Sequence, residues 1–503
     1  MKKVIISVLT LALIISSTGC NENDNPNEPP EEIIFPEHVK YNEVRDFSEG
    51  LAAVELDGKW GFIDKTGKEV VLHKYDGAGD FYGGIASVSI GVGELFKYGL
   101  IDKTGKEVVP LIYDDAWYYT DGLAVIRVGD WETGKCGIID IASGNEVIPL
   151  IYDYISRFSD GLAVVHVGDW ETGKCGIIDI ASGNEITPIK YDYIDFSWGL
   201  LGEGLTSVRI GEPGDAKYGF INKKGEEVVP LKYGYAEDFS EGMAVVSMGD
   251  WETGKRGFID TTGREIVPLK YDRLSGGDTP HFYNFIEDMA MVRLDKKLGF
   301  VDRTGKEVIP LIYDDVSEFR GGMAAIKLNG KWGVIDKTGT VIITPKYDYV
   351  IILSEGMAKV LKGNLGKYTW GLLDIAARKE VTPVEYDYIG QLSEGLVSVS
   401  ICEGETSRWG FIDKTGKEVI PLKYEFIPYF GLDSNVYYEN VYHFAKGVAA
   451  AKLGGKWGFI DNTGKEIVPF MYDSMRPVSD GMAAVFIGDH KTGLWGFVSV
   501  VEP

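Results

Sequence analysis

Cysteine is scarce in this sequence: there are four among 503 residues, Cys20, Cys136, Cys175 and Cys402. Such a count excludes a fold stapled throughout by disulfides. The six histidines, His38, His73, His166, His281, His443 and His490, share no metal-ligand spacing. Positive charge is outnumbered, 51 Lys and Arg against 76 Asp and Glu, giving a formal net charge of −25. A nucleic-acid backbone is repelled by that balance, and no basic stripe offsets it. No segment keeps a helical period, so helix is expected to be minor. Catalytic signatures are missing too. There is no Gly-x-Ser-x-Gly, Walker loop or His-Glu-x-x-His, and the recurrent Lys-Thr-Gly has no Ser-x-x-Lys or Ser-Asp-Asn beside it. No metal or cofactor is expected.

What the chain has in excess is glycine, 64 residues, much of it at fixed points of a repeat. Residues 447–473, GVAAAKLGGKWGFIDNTGKEIVPFMYD, recur nearly unchanged at 50–76 and 322–348. A central glycine after a large or apolar residue marks each copy: Gly61, Gly99, Gly137, Gly176, Gly219, Gly257, Gly299, Gly333, Gly371, Gly410, Gly458 and Gly496. Most are 38 or 39 residues apart, so one continuous array replaces separate domains.

Each unit reads as three short strands. Residues 51–56 lead through Asp57–Gly58, a dipeptide suited to a tight hairpin, into 59–64. Lys65–Thr66–Gly67 forms the next turn, with Gly67 at positive φ, and 68–72 follow. The glycine inside the second strand implies close approach by a neighbouring backbone or ring. The recurrent Asp ending that strand, as at Asp64 or Asp413, is expected to accept N–H bonds within the turn. Tyr75–Asp76 and its copies read as a packing ring plus a cap on the connection to the next unit. Cys136 and Cys175 replace Trp as small apolar fillers, and stacking of equivalent positions leaves a bridge between them open. A unit of this size cannot bury its own apolar face, so neighbours must share a core.

The amino terminus is different. Lys2–Lys3, an apolar stretch 4–15 and the small residues before Cys20 resemble a bacterial lipoprotein signal, residues 1–19, which implies lipidation of Cys20. Residues 20–40, acidic and proline-rich, read as a flexible tether ahead of a folded array at 41–500 of about eleven full units and a partial last one.

Trp–Gly followed by Phe-Ile-Asp-Lys-Thr-Gly-Lys-Glu-Val, at 60–70 and 409–419, resembles the WG-repeat (KWG) family of bacteria. The resemblance implies a β-rich repeat protein, often secreted or surface-associated, with no general catalytic set. Trp60, Gly61, Trp332, Gly333, Trp409, Gly410, Trp457 and Gly458 are its structural signature here.

The expected fold is all-β, with short antiparallel strands in an open solenoid-like or superhelical array; one or two β-propeller-like rings are the alternative. An incomplete last unit caps an open stack or, in a ring, is completed by the first strands. Three enlarged hairpins, 129–135, 168–174 and 249–255, each read GDWETGK. Their Trp131, Glu132, Trp170, Glu171, Trp251 and Glu252 are candidate partner-binding residues, as are Phe426, Tyr429, Tyr437 and Tyr438 in the longest connection. Longer connections are also expected at 202–215 and 275–287. The expected role is a non-enzymatic binding or adhesion scaffold, lipid-anchored in the cell envelope and facing periplasm or exterior, for a glycan or an envelope or host protein. Alternatives are a structural spacer or assembly platform, and a polysaccharide- or peptide-acting enzyme with its site near 426–438.

Overall fold

The computed structural model describes residues 38–500 apart from 93–94, 170–171, 196–202, 213, 250–252, 275–283, 365–366, 404–405, 426–443, 445 and 490. The signal and lipidation expected of residues 1–20 therefore lie outside the described residues. The described chain forms twelve antiparallel sheets, nine of four strands and three of three, strung in the same order and numbered here as blades 1 to 12. In blade 1 a short strand, Glu43–Val44, pairs with Leu51–Leu56, which pairs with Lys59–Asp64, which pairs with Glu69–Tyr75.

Local chemistry sets each unit. Asp57 and Gly58 adopt φ of 52° and 78°, so the hairpin turn is one whose two central residues both need positive φ. Gly67 closes the next turn at φ 80°. The Asp64 carboxylate accepts from the Thr66 and Lys68 N–H groups at 2.9 and 3.1 Å and from the Thr66 hydroxyl. The central glycine is required by crowding. The pairing of the third and fourth strands shifts register between Trp60 and Phe62, and a Cβ on Gly61 would stand 2.6 Å from the Val71 carbonyl oxygen. The close approach comes from the blade's own fourth strand.

The second strands are buried on both faces, which only neighbours on each side can achieve. The core accordingly lies between blades. Leu51, Phe62, Val71 and Tyr75 of blade 1 pack with Ala78, Phe81, Val88 and Ile101 of blade 2. Phe62 meets Phe81 edge-on at 4.8 Å, a contact repeated by Phe220–Phe239 at 4.7 Å and Phe300–Phe319 at 4.8 Å.

The same contact joins the last blade to the first, Phe497 to Phe47 at 4.8 Å. Blade 12 has three strands of its own, Ser474–Met475, Met482–Ile487 and Leu494–Ser499, and its fourth is Val39–Tyr41 from the start of the chain. Gly496 there faces the His38 carbonyl as Gly61 faces that of Val71. The chain is thus a closed twelve-bladed propeller, and the open solenoid-like or superhelical array expected from the sequence is corrected. An open array would leave the edge of 494–499 unpaired, and closure removes that edge.

Two polar straps tie successive blades. The Asp of each Tyr–Asp pair bridges hairpins. Asp76 accepts from Lys59 of blade 1 at 2.5 Å and from the Gly91 N–H of blade 2 at 3.0 Å, and Asp114 repeats this with Lys97 and Gly129. On the opposite side, the Lys of the Lys-Thr-Gly turn reaches the acidic joint of the preceding blade. Lys103 meets Glu49 at 3.0 Å, Lys337 meets Glu287 at 3.4 Å, and across the seam Lys65 meets Asp480 at 3.8 Å. Each exposed pair adds on the order of 0–1 kcal/mol, so their main effect is to fix blade register.

These carboxylates make stability depend on acid. In Asp64, Asp102, Asp302, Asp413 and Asp461 the threonine hydroxyl, foremost, holds the carboxyl below its usual value of 3.8. A carboxyl depressed in the folded state stabilises above its unfolded pKa and loses that contribution as pH falls through the folded one. The urea midpoint is therefore expected to fall below about pH 4. Asp238 has the opposite sign: burial pushes it up to about 6, so protonation favours the fold and stability should rise as pH drops from about 6 to 4. Asp238→Asn should flatten that rise and leave the acid limb intact.

Candidate functional site

Because every sheet is strung alike, the hairpins between second and third strands all leave the ring at one face, and the Lys-Thr-Gly turns at the other. The hairpins are unequal. Blades 2, 9 and 10 extend theirs into eight-residue strands, such as Ile85–Val92 with Leu95–Asp102 and Met357–Asn364 with Lys367–Asp374. Near their ends Leu95 is 83% and Tyr368 59% exposed.

Blade 3 carries the first GDWETGK loop. The Asp130 carboxylate organises it, accepting from the Glu132 and Thr133 N–H groups at 2.9 and 2.7 Å and from the Thr133 hydroxyl at 2.8 Å. Those bonds, the Thr133 N–H first, hold Asp130 below the usual carboxylate range. Trp131 then projects at 72% exposure, with Glu132 exposed beside it. One face of the indole is covered by the Arg127 guanidinium at 4.0 Å, and an Arg127 N–H donates to the Trp131 carbonyl at 3.2 Å. The indole is half held and half presented.

Arg127 also lies 5.4 Å from the Trp117 ring, which stacks on Tyr154 of blade 4 at 6.4 Å. Similar pairs line this side of the ring: Tyr154–His166, Arg209–Tyr193, Tyr218–Tyr235, Trp332–Tyr349–Trp370 and Tyr388–Trp409. They form a discontinuous belt of aromatic and cationic side chains beneath the hairpins. Burial pushes the His166 imidazole down to about 4, so it is neutral at physiological pH.

Of the residues singled out from the sequence, Trp131 and Glu132 sit together on this face. Trp170, Glu171, Trp251, Glu252, Phe426, Tyr429, Tyr437 and Tyr438 lie outside the described residues. Stretch 202–215, expected as a connection between units, instead contains the second strand of blade 5, Leu205–Ile210. Of the signature residues, Trp332 and Trp409 are buried between blades, and Gly333, Gly410 and Gly458 meet the last strands of their own blades as Gly61 does. Cys136 and Cys175 are buried free thiols, Cys175 pushed up to about 12 by burial, so no bridge joins them.

Sequence reading missed a half-buried polar cluster between blades 5 and 6. Asp238 accepts from the Ser207 N–H at 3.1 Å, Glu237 accepts from the Tyr235 hydroxyl at 3.0 Å, and Asp195 raises the pKa of both acids. Burial contributes more to both shifts than Asp195 does. The cluster joins residues of separate units, which no single-unit motif displays. Among the described residues, no group of three or more His, Cys, Asp or Glu is arranged to hold a metal ion.

The twelve closed sheets define a β-propeller-type protein. The chain belongs to the WG containing repeat family, which it matches over 38–60, 60–91, 98–130, 137–169, 218–250, 257–297, 299–332, 332–368, 409–433, 436–457 and 457–489. No curated protein matches it in sequence. Among solved structures, it is similar to the eukaryotic initiation factor at 12% identity, covering 64% of this chain and 92% of that one with a TM-score of 0.31. It is similar also to the tricorn protease at 11% identity, covering 93% of this chain and 57% of that one with a TM-score of 0.22. A third, the uncharacterized protein lmo1340 from Listeria monocytogenes EGD-e, shares 14% identity over 52% of this chain and 90% of its own, TM-score 0.23. Likenesses this slight bear on neither activity nor partner.

Proposed function

We propose that the protein is a non-catalytic assembly platform of the bacterial cell envelope, held to a membrane by lipid on Cys20, that docks a partner protein on its hairpin face. The observation that carries this reading is the polarity of the ring. The closing strand is Val39–Tyr41, and His38 just before it lines one cavity with Lys65, Thr66 and Gly67 of the turn face. The hairpin face, on the opposite side of the ring from those turns, exposes Leu95, Trp131 and Tyr368, and an anchor entering on the turn side would leave it free. The recurrent carboxylates support a structural role, since turn N–H groups, hydroxyls and lysines occupy them. Trp131 favours a glycan as a second reading, because its open indole face beside Glu132 is a surface on which a sugar ring stacks.

A photo-reactive residue in place of Leu95 or Tyr368 should yield a discrete protein adduct in the envelope, and one at outer-strand Ile112 should not. Adducts from Ile112 alone, or none from either hairpin in folded protein, would refute the platform. Loss of cell-wall glycan binding on Trp131→Ala with no hairpin adduct would select the second reading. Cys20→Ser should abolish labelling by a palmitate analogue and release the protein from membranes.

A further inference from the structure

The last strand of each blade pairs on one side only, which leaves its other edge open at the rim of the ring. Such an edge is a template for another chain unless something blocks it. Proline blocks it here. In every blade from 2 to 11 the corresponding stretch holds one, at the fourth position as in Pro110, Pro149, Pro230 and Pro421, or at the fifth as in Pro345. The last blade is closed by a strand of three residues, Val39–Tyr41, and an edge that short is a poor template. Blade 1 has neither device. Its last strand, Glu69–Tyr75, reads EVVLHKY, with Leu72 where the prolines stand.

The central glycine fixes which way this backbone faces. A Cβ on Gly61 would lie 2.6 Å from the Val71 carbonyl oxygen and 2.9 Å from the His73 nitrogen, so Val71 and His73 turn their polar groups inward to the third strand. Strand alternation then points those of Val70, Leu72 and Lys74 outward. Leu72 is 68% exposed, with Val70 and Lys74 exposed on either side of it. The sequence of this edge complements itself. Two copies run antiparallel about a two-fold axis at Leu72 set Leu72 against its own counterpart, Val70 against Lys74 and Lys68 against Asp76. Opposite charges meet, and no like charges stand directly opposite one another.

We propose that two copies of this chain pair through the last strand of blade 1, joining two four-stranded sheets into one of eight. The outward N–H and C=O groups of Val70, Leu72 and Lys74 bond across the axis, and Leu72 is covered by its counterpart. Proline in place of Leu72 would remove the two bonds nearest the axis, so blades 2 to 11 are closed to this pairing. The antiparallel sense inverts one ring relative to the other, and contact at the rim leaves the hairpin face of each uncovered. The dimer needs neither the lipid nor a docked protein, so its failure leaves the platform reading untouched.

Sedimentation of the full chain carrying Cys20→Ser tests it, over a concentration series and under reducing conditions, because Cys402 is an exposed free thiol. A monomer–dimer equilibrium is expected, and amide exchange in residues 69–75 should slow as the dimer fills while that in 107–113 stays constant. Leu72→Pro should raise the dimer dissociation constant by roughly tenfold or more, through the lost bonds at the axis. Its urea midpoint should match the parent's, since proline serves at this position in the sister blades. Leu72→Lys, which sets two like charges face to face at the axis, should weaken the dimer as well and keeps the backbone donor. Loss of the dimer in both variants, with protection confined to 69–75 in the parent, would establish the pairing. A chain that stays monomeric throughout, or a dimer that both variants leave intact, would overturn it.

Discussion

Val39→Asp is expected to open the ring at the seam. Val39 is 2% exposed and packs among the hydrophobic core residues Val448, Phe459, Val468, Tyr472, Ala483 and Val485. An uncompensated charge in such a place costs on the order of 3–5 kcal/mol. The seam concentrates the damage, because its fourth strand comes from the opposite end of the chain, whereas blade 1 takes Glu69–Tyr75 from the next turn along. Closing so long a loop carries an entropic cost that only the seam contacts offset. The urea midpoint should fall, amides of 494–499 should lose protection, and the radius of gyration from small-angle scattering should rise before the remaining blades unfold. Lys40→Asp, on the exposed side of the same strand, should shift stability by no more than about 0.5 kcal/mol. A parent-like scattering profile for folded Val39→Asp would show that the blades stay closed without this strand.

The contrast between unit and ring explains what could be read in advance. Hairpin and turn chemistry is local. Asp57–Gly58 needs two positive φ values, and Asp64 needs donors two and four residues ahead, so both were legible and both are observed. Closure depends on the small rotation between successive blades summed over twelve, and no residue pattern displays that sum. One signal was present. Lys40–Tyr41–Asn42 imitates Lys74–Tyr75–Asp76 and Lys232–Tyr233 but precedes the first unit, an orphan fourth strand that a blade elsewhere must need. The straps were half legible. Tyr75–Asp76 was read as a cap on the connection, but the partnership of Lys103 with Glu49, 54 residues away, appears only once blades are stacked.

The site divides along the same line. Trp131 and Glu132 stand out because a motif of unusual length repeats. Leu95 and Tyr368 belong to hairpins distinguished by length alone, and their exposure follows from where the longer strands end. Asp195, Glu237 and Asp238 look unexceptional in sequence and become a half-buried acidic group because Asp238 of blade 6 reaches the Ser207 N–H on the second strand of blade 5.

Two tryptophans show how far one residue type can diverge, and Trp332→Ala carries the second large prediction. Trp332 is fully buried among Ala325, Val334, Tyr347 and Val350, with the Tyr349 ring edge-on at 5.1 Å. Truncation removes the largest side chain shared by blades 8 and 9, and cavities of that kind cost about 3–5 kcal/mol. The indole Nε1 has no hydrogen-bond partner among the described residues, so Trp332→Phe strands no buried polar group and should cost only about 1–3 kcal/mol. Trp131→Ala should change stability by no more than about 0.5 kcal/mol, because that indole is 72% exposed and touches chiefly Arg127. Urea midpoints of the three variants give the order directly. Equal losses from Trp332→Ala and Trp131→Ala would mean that the inter-blade indoles do not form the core, and a ring whose blades do not share a core has no reason to close.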